Sequence, residues 1–243
     1  RHIMRIIGRV FVRKTDDGLY YLAVFGMIFG TSIMVLFWYK AGLSPWVAII
    51  YFVTYFILCL GMTRMRAELG PPTHELHNAH PDRIMVGFLG TRAIGPANLT
   101  NTTLLSWLAY GYRCHPMPHQ LEGFKIGSYF NINQRRLVIA IIVASIIGAF
   151  LSILLHVSLY YRFQFAKWGI GNFNYLRSRI LFPKSPNFQV MQQVGIGFFI
   201  TAILTVLKRR FIWWPFYPVG YAVGKGWAMT WLWFSIFLGW LVK

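Results

Sequence analysis

Five of the seven histidines and four of the six acids of this 243-residue chain fall within residues 63–136. His74, His77 and His80 recur at three-residue spacing in His-Glu-Leu-His-Asn-Ala-His, and imidazoles so placed can share a helical face and bind zinc or another borderline metal. The protease pattern His-Glu-x-x-His is missing, since two residues rather than three separate the first pair. Pro71, Pro72 and Pro81 also confine any helix there to about two turns. The segment therefore reads as a polar interfacial loop without metal or cofactor, with His74, His77 and His80 as the only candidate ligands.

A second cluster follows in His115-Pro-Met-Pro-His119-Gln-Leu-Glu122-Gly-Phe-Lys125. Glu122 and Lys125 stand at i and i+3, close enough to pair on a helix. Such a pair near a bilayer could gate a substrate or carry a proton, or be a surface ion pair at a helix start. His156 is the one histidine set clearly inside an apolar run, where an ionisable residue is a relay candidate or a partner for a neighbouring helix. No nucleophile elbow, Walker loop, dinucleotide fingerprint or haem attachment motif occurs, so the chain reads as a non-enzyme. Asn98 and Asn101 each open a glycosylation sequon, and their amides serve equally well as helix caps. Cys59 lies in an apolar run and Cys114 in a polar loop, which argues against a bridge.

The elements that must position these groups are membrane helices. Hydrophobic residues make up 56% and charged residues 12%, too few charges to cover a soluble globule. Five apolar stretches approach the ~20 residues a span requires: 19–39, 46–62, 137–161, 194–207 with an extension back to Phe188, and 227–242. The third carries small residues, Ala144, Ser145, Gly148, Ala149 and Ser152, along one side, as close helix packing needs. Between the second and third, two stretches too short to span, 84–89 and 104–110, are separated by Gly90, Gly95, Pro96 and Asn98. That pattern predicts a re-entrant or interfacial segment. The fold class is thus all-α, a polytopic transmembrane protein of about five spans, in three parts. Residues 1–62 form a basic start and first hairpin, 63–136 the His-rich segment, and 137–243 the C-terminal helices.

The 24 Lys and Arg against 6 acids give a net charge of +18, concentrated between apolar runs. There it sets topology and meets anionic headgroups, so lipids are the expected partner and nucleic acid is not. Arg1, Arg5, Arg9, Arg13 and Lys14 before the first span put the N-terminus on the cytoplasmic side. The opening at Arg1 and the stop at Lys243 directly after an apolar run suggest a piece of a longer protein.

Four runs carry a resemblance. They are Arg64-Met-Arg-Ala-Glu-Leu-Gly-Pro-Pro-Thr-His-Glu-Leu-His77, Pro81-Asp-Arg, the box from His115 to Lys125, and Arg210-Phe-Ile-Trp-Trp-Pro-Phe-Tyr-Pro-Val-Gly-Tyr221. Together they resemble a family of uncharacterised prokaryotic multi-pass membrane proteins that is itself similar to the oligopeptide transporter superfamily. The resemblance runs from about Arg64 to the end and implies the C-terminal part of a proton-coupled carrier in a prokaryotic inner membrane. On it, His74, Glu75, His77, His115, His119, Glu122, Lys125 and His156 are the candidate pathway residues. The alternative is a structural or accessory subunit that binds the helices of other membrane subunits.

Overall fold

Proline opens helix after helix in this chain: its fixed φ suits the first turn, where its missing N–H costs nothing. The computed structural model describes residues 18–70, 79–110, 112, 115–163, 168–224 and 226–242. Among them the chain is all-helical. The order is α1 (Gly18–Lys40), α2 (Pro45–Leu69), α3 (Pro81–Ile94), α4 (Pro96–Leu104), a 3-10 turn (Leu105–Ala109) and α5 (Pro116–Tyr129), followed by α6 (Gln134–Phe163), α7 (Trp168–Leu181), α8 (Phe188–Arg210), α9 (Pro218–Gly224) and α10 (Trp227–Val242).

Three of these helices are long and apolar enough to cross a bilayer: Pro45–Glu68 of α2, α6 and α8. The apolar helices Val24–Lys40 and Met229–Val242 are shorter. All five stretches picked from the sequence are therefore helical, and three of them combine the length and apolarity of a span among the described residues. The second and fourth run longer than hydropathy alone suggested. α2 continues through Arg64 and Arg66 until Gly70, in the left-handed conformation, returns its N–H to the Arg66 carbonyl at 2.9 Å.

α2 is the post on which the middle of the chain is built. Leu43 just before it and Val47, Ala48, Tyr51 and Phe52 at its start pack on Met85 and Ile94 of α3, Leu99 of α4 and Leu105. Further along, Tyr55, Cys59, Met62 and Met65 meet Ala109, Tyr112 and Val219 of α9. The Tyr51 hydroxyl donates to the Leu105 carbonyl at 2.9 Å, tying the 3-10 turn to α2. By contrast α6 has no buried residue along its 30, and nothing lies within 4 Å of a Cβ built on Gly148. The small-residue stripe expected to pack closely faces open space here.

Asn98 fastens this assembly to the α1–α2 turn. Its Oδ1 accepts from the Ser44 N–H at 2.8 Å, and its Nδ2 donates to Ser44 Oγ at 3.1 Å and to the Ile94 carbonyl at 2.8 Å. Asn101, buried, donates to the Ala41 carbonyl at 3.3 Å. Both sequon asparagines thus act as internal ties. Asn98→Ala removes the tie and is expected to lower thermal stability in detergent by about 1–2 kcal/mol. Thr100→Ala changes only the sequon, at an exposed hydroxyl bonded within its own helix, and should leave the melting curve in place.

Candidate functional site

The predicted re-entrant segment is a run of broken helices. Gly90 interrupts α3 with φ 76° and ψ 157°, and Gly95 separates α3 from α4 with φ 80° and ψ 158°. The extended strap between α7 and α8 lies across the first break. Thr91 N–H donates to the Lys184 carbonyl at 3.0 Å, Lys184 N–H to Thr91 Oγ1 at 2.7 Å, and Asn187 N–H to the Gly87 carbonyl at 2.9 Å. A strap can approach this closely only because Gly87 and Gly90 lack side chains. A Cβ on Gly87 would stand 2.7 Å from Val190, and one on Gly90 would stand 2.8 Å from strap backbone atoms.

At the start of α3, Asp82 makes an ion pair with Arg179 of α7, Nη1 to Oδ2 at 3.1 Å, with side chains only 6% and 7% exposed. The guanidinium also stacks over the Tyr175 ring, 3.8 Å from its centroid, and donates to the Tyr175 hydroxyl. The second carboxylate oxygen, Oδ1, is buried without a hydrogen-bond partner among the described residues. Tyr112, which donates to the Ala79 carbonyl at 3.0 Å just ahead of α3, stacks on Tyr55. Tyr55 lies ten residues beyond Pro45 in a 25-residue helix, roughly 15 Å from its start.

Arg179 and Tyr175 form one wall of a cleft of about 1480 Å³ between α3, α7, the strap and the start of α8. Arg83, Arg92 and Lys184 also line it, and among the described residues no acid does. All three are exposed, and among the described residues none of them is in an ion pair. Arg83 lies 5.9 Å from the Tyr175 centroid. Ile84, Val86 and Val194 supply apolar surface beside these cations. The arrangement can neutralise and orient a negative group while accepting a greasy one.

The residues picked from the sequence sit elsewhere. His74, Glu75 and His77 lie outside the described residues, so of the histidine triplet only His80 is placed, buried at the N-cap position of α3. His115 is buried against α2, with Nδ1 3.2 Å from the Tyr55 hydroxyl and 3.7 Å from Cys59 Sγ. Cys59 is 0% exposed, so this thiol and imidazole make a packed polar contact that presents no nucleophile. Burial is the main cause, and the neighbouring Cys59 and Tyr55 contribute, in pushing the Tyr112 phenol well above its ordinary range, so it stays a neutral donor.

Glu122 takes an interhelical partner instead of the i+3 lysine: it pairs with Arg66 on the last turn of α2, while Lys125 is exposed. α5 crosses the end of α2, and that crossing brings the Arg66 guanidinium to the carboxylate. His119 and His156 are exposed, and none of the described candidates lines the cleft. Among the described residues no three His, Cys, Asp or Glu side chains gather as a metal site. The residues that sequence reasoning missed as site candidates are Arg92, Tyr175, Arg179 and Lys184, while Asp82 and Arg83 entered only through the Pro81-Asp-Arg run of the resemblance. The signal available was scarcity: with so few acids, one set in Pro-Asp-Arg beside apolar residues needs a basic partner, though nothing local says which.

Fold and cleft together define a helical chain suited to a bilayer, with a polar pocket let into its apolar framework. It belongs to a family of unknown function, DUF6785, whose match covers residues 1–243. No curated protein and no solved structure matches the chain.

Proposed function

We propose that this chain is part of a secondary membrane transporter, similar to the oligopeptide carriers, in a prokaryotic inner membrane with its N-terminus cytoplasmic and about five spans. The observation that carries the reading is the buried Asp82–Arg179 pair, set against an open cleft between broken helices. Ionisable groups buried among apolar helices are expensive and mark substrate or proton pathways. Helices interrupted at the level of a cavity are what carriers use to hold substrate at mid-membrane. The path is then lined from α3, α7 and the strap; Glu122 lies apart from it with Arg66 on the last turn of α2, and His115 packs on Tyr55 and Cys59 further inside that helix.

The test is two-sided access. In right-side-out and inside-out vesicles, Val194→Cys in the cleft is expected to react with a membrane-impermeant thiol reagent from either face. Ile203→Cys, on the same helix but exposed away from the cleft, should stay unreactive because lipid covers it. Reaction of Val194→Cys from one face only, or from neither, counts against a carrier. It would favour the second reading, an accessory subunit, which has its own support in the wholly exposed apolar surface of α6. Copurification with other membrane chains in fixed stoichiometry is the outcome that reading expects.

A further inference from the structure

The cleft has a charge pattern of its own. Arg179 is neutralised by Asp82, and among the described residues Arg83, Arg92 and Lys184 are positive charges on the cleft walls with no acid in the lining. Lys184 and Arg92 are held side by side, because the Lys184 carbonyl accepts from the Thr91 and Arg92 N–H groups at 3.0 and 3.5 Å. The amino-terminal end of α8, a 23-residue helix, enters the same cleft through Phe188 and Gln189, and its partial positive charge has the same sign. Like charges gathered on one cleft repel one another, and a bound oxyanion relieves that repulsion. The rest of the lining mixes apolar side chains such as Ile84, Val86 and Val194 with the polar Ser185, Asn187, Gln189 and Thr230. The volume of about 1480 Å³ exceeds the ~300–1,000 Å³ usual for small-ligand sites, so it accommodates far more than a bare inorganic ion.

We propose that this cleft binds an amphipathic oxyanion, a phosphate or carboxylate joined to an apolar body, with Arg83, Arg92 and Lys184 gripping the charged head and Ile84, Val86 and Val194 receiving the apolar part. Two sources supply that chemistry: a free organic anion or the headgroup of an anionic lipid. The inference names the substrate class if the carrier reading holds; only that naming rests on the carrier reading, and the binding itself does not.

Hexyl phosphate titrated into the protein in phosphatidylcholine nanodiscs is expected to bind saturably, and hexyltrimethylammonium is not. Arg83→Gln and Arg92→Gln each weaken hexyl phosphate by about tenfold, as loss of one charge-assisted contact does, and Lys184→Arg retains it. These side chains are exposed and in no ion pair among the described residues, so the variants should melt like the parent, which a thermal scan without ligand checks. Equal response to the phosphate and the ammonium, or full affinity in the Arg83→Gln/Arg92→Gln double variant, overturns the proposal. Nanodiscs containing phosphatidylglycerol separate the sources. Weaker hexyl phosphate binding there, with phosphatidylglycerol retained on the parent but not on the double variant, assigns the site to lipid; unchanged binding assigns it to the free anion. Saturable binding alongside one-sided labelling of Val194→Cys keeps this site and removes the carrier, and two-sided labelling without binding does the reverse.

Discussion

Arg179→Met will destabilise the protein by about 3–5 kcal/mol, read as reversible unfolding in mixed micelles, because it strands a carboxylate in the interior. Asp82 is 6% exposed and already has one oxygen without a hydrogen-bond partner among the described residues. Without the guanidinium it must either stay charged in a medium that solvates it badly or take up a proton. Asp82→Asn should cost less. Arg179 then loses its counter-ion but keeps the Tyr175 face beneath it and borders the cleft, where water or an anion can reach it. The paired replacement Asp82→Leu with Arg179→Met removes both charges and is expected to recover most of the loss, since an apolar pair of similar bulk often matches a buried ion pair. A double variant as unstable as the two single losses added together would show that the groups do not interact, and the charged centre of this site would dissolve with them.

What could be read from the sequence was whatever depends on a local run. Apolar runs gave the five most apolar helices, and Gly90 and Gly95 marked the breaks, whereas Pro81 and Pro96, read as a limit and a separator, each open a helix. Contacts between distant residues were not legible. Asp82 and Arg179 are 97 positions apart, and Thr91 and Lys184 are 93 apart, so no spacing rule joins them. Local reasoning even misled at Glu122, where the i+3 lysine satisfied a helix rule and an arginine 56 residues away took the bond. Histidines drew attention because they can titrate, yet His156 sits on an exposed helix and His115 is packed among tyrosines. Sequence shows which groups could do chemistry; which of them share a cavity is decided by the crossing of α3 with the strap.

That crossing makes Gly90→Ala the most informative backbone change. Its φ of 76° with ψ of 157° is a region that essentially only glycine occupies, and an alanine there costs ~1–3 kcal/mol of strain. The same strain applies at Gly95, with φ 80° and ψ 158°, where a Cβ would meet nothing within 4 Å. Only Gly90 adds a collision, since its Cβ would lie 2.8 Å from the Lys184 carbonyl oxygen, the Pro186 nitrogen and the Ser185 carbonyl carbon. These are backbone atoms pinned by the hydrogen bonds of Thr91, Lys184 and Asn187, so they cannot swing aside as a side-chain tip would. Gly95→Ala should therefore melt slightly below the parent, and Gly90→Ala should lose at least about 3 kcal/mol or fail to accumulate. If the strap yields and Gly90→Ala folds, Lys184 is carried away from Arg92, and hexyl phosphate affinity should fall while the Asp82–Arg179 pair stays intact. Equal melting of the two alanine variants would mean that the strap does not press on α3, and the cleft would then lack the wall that holds its third cation.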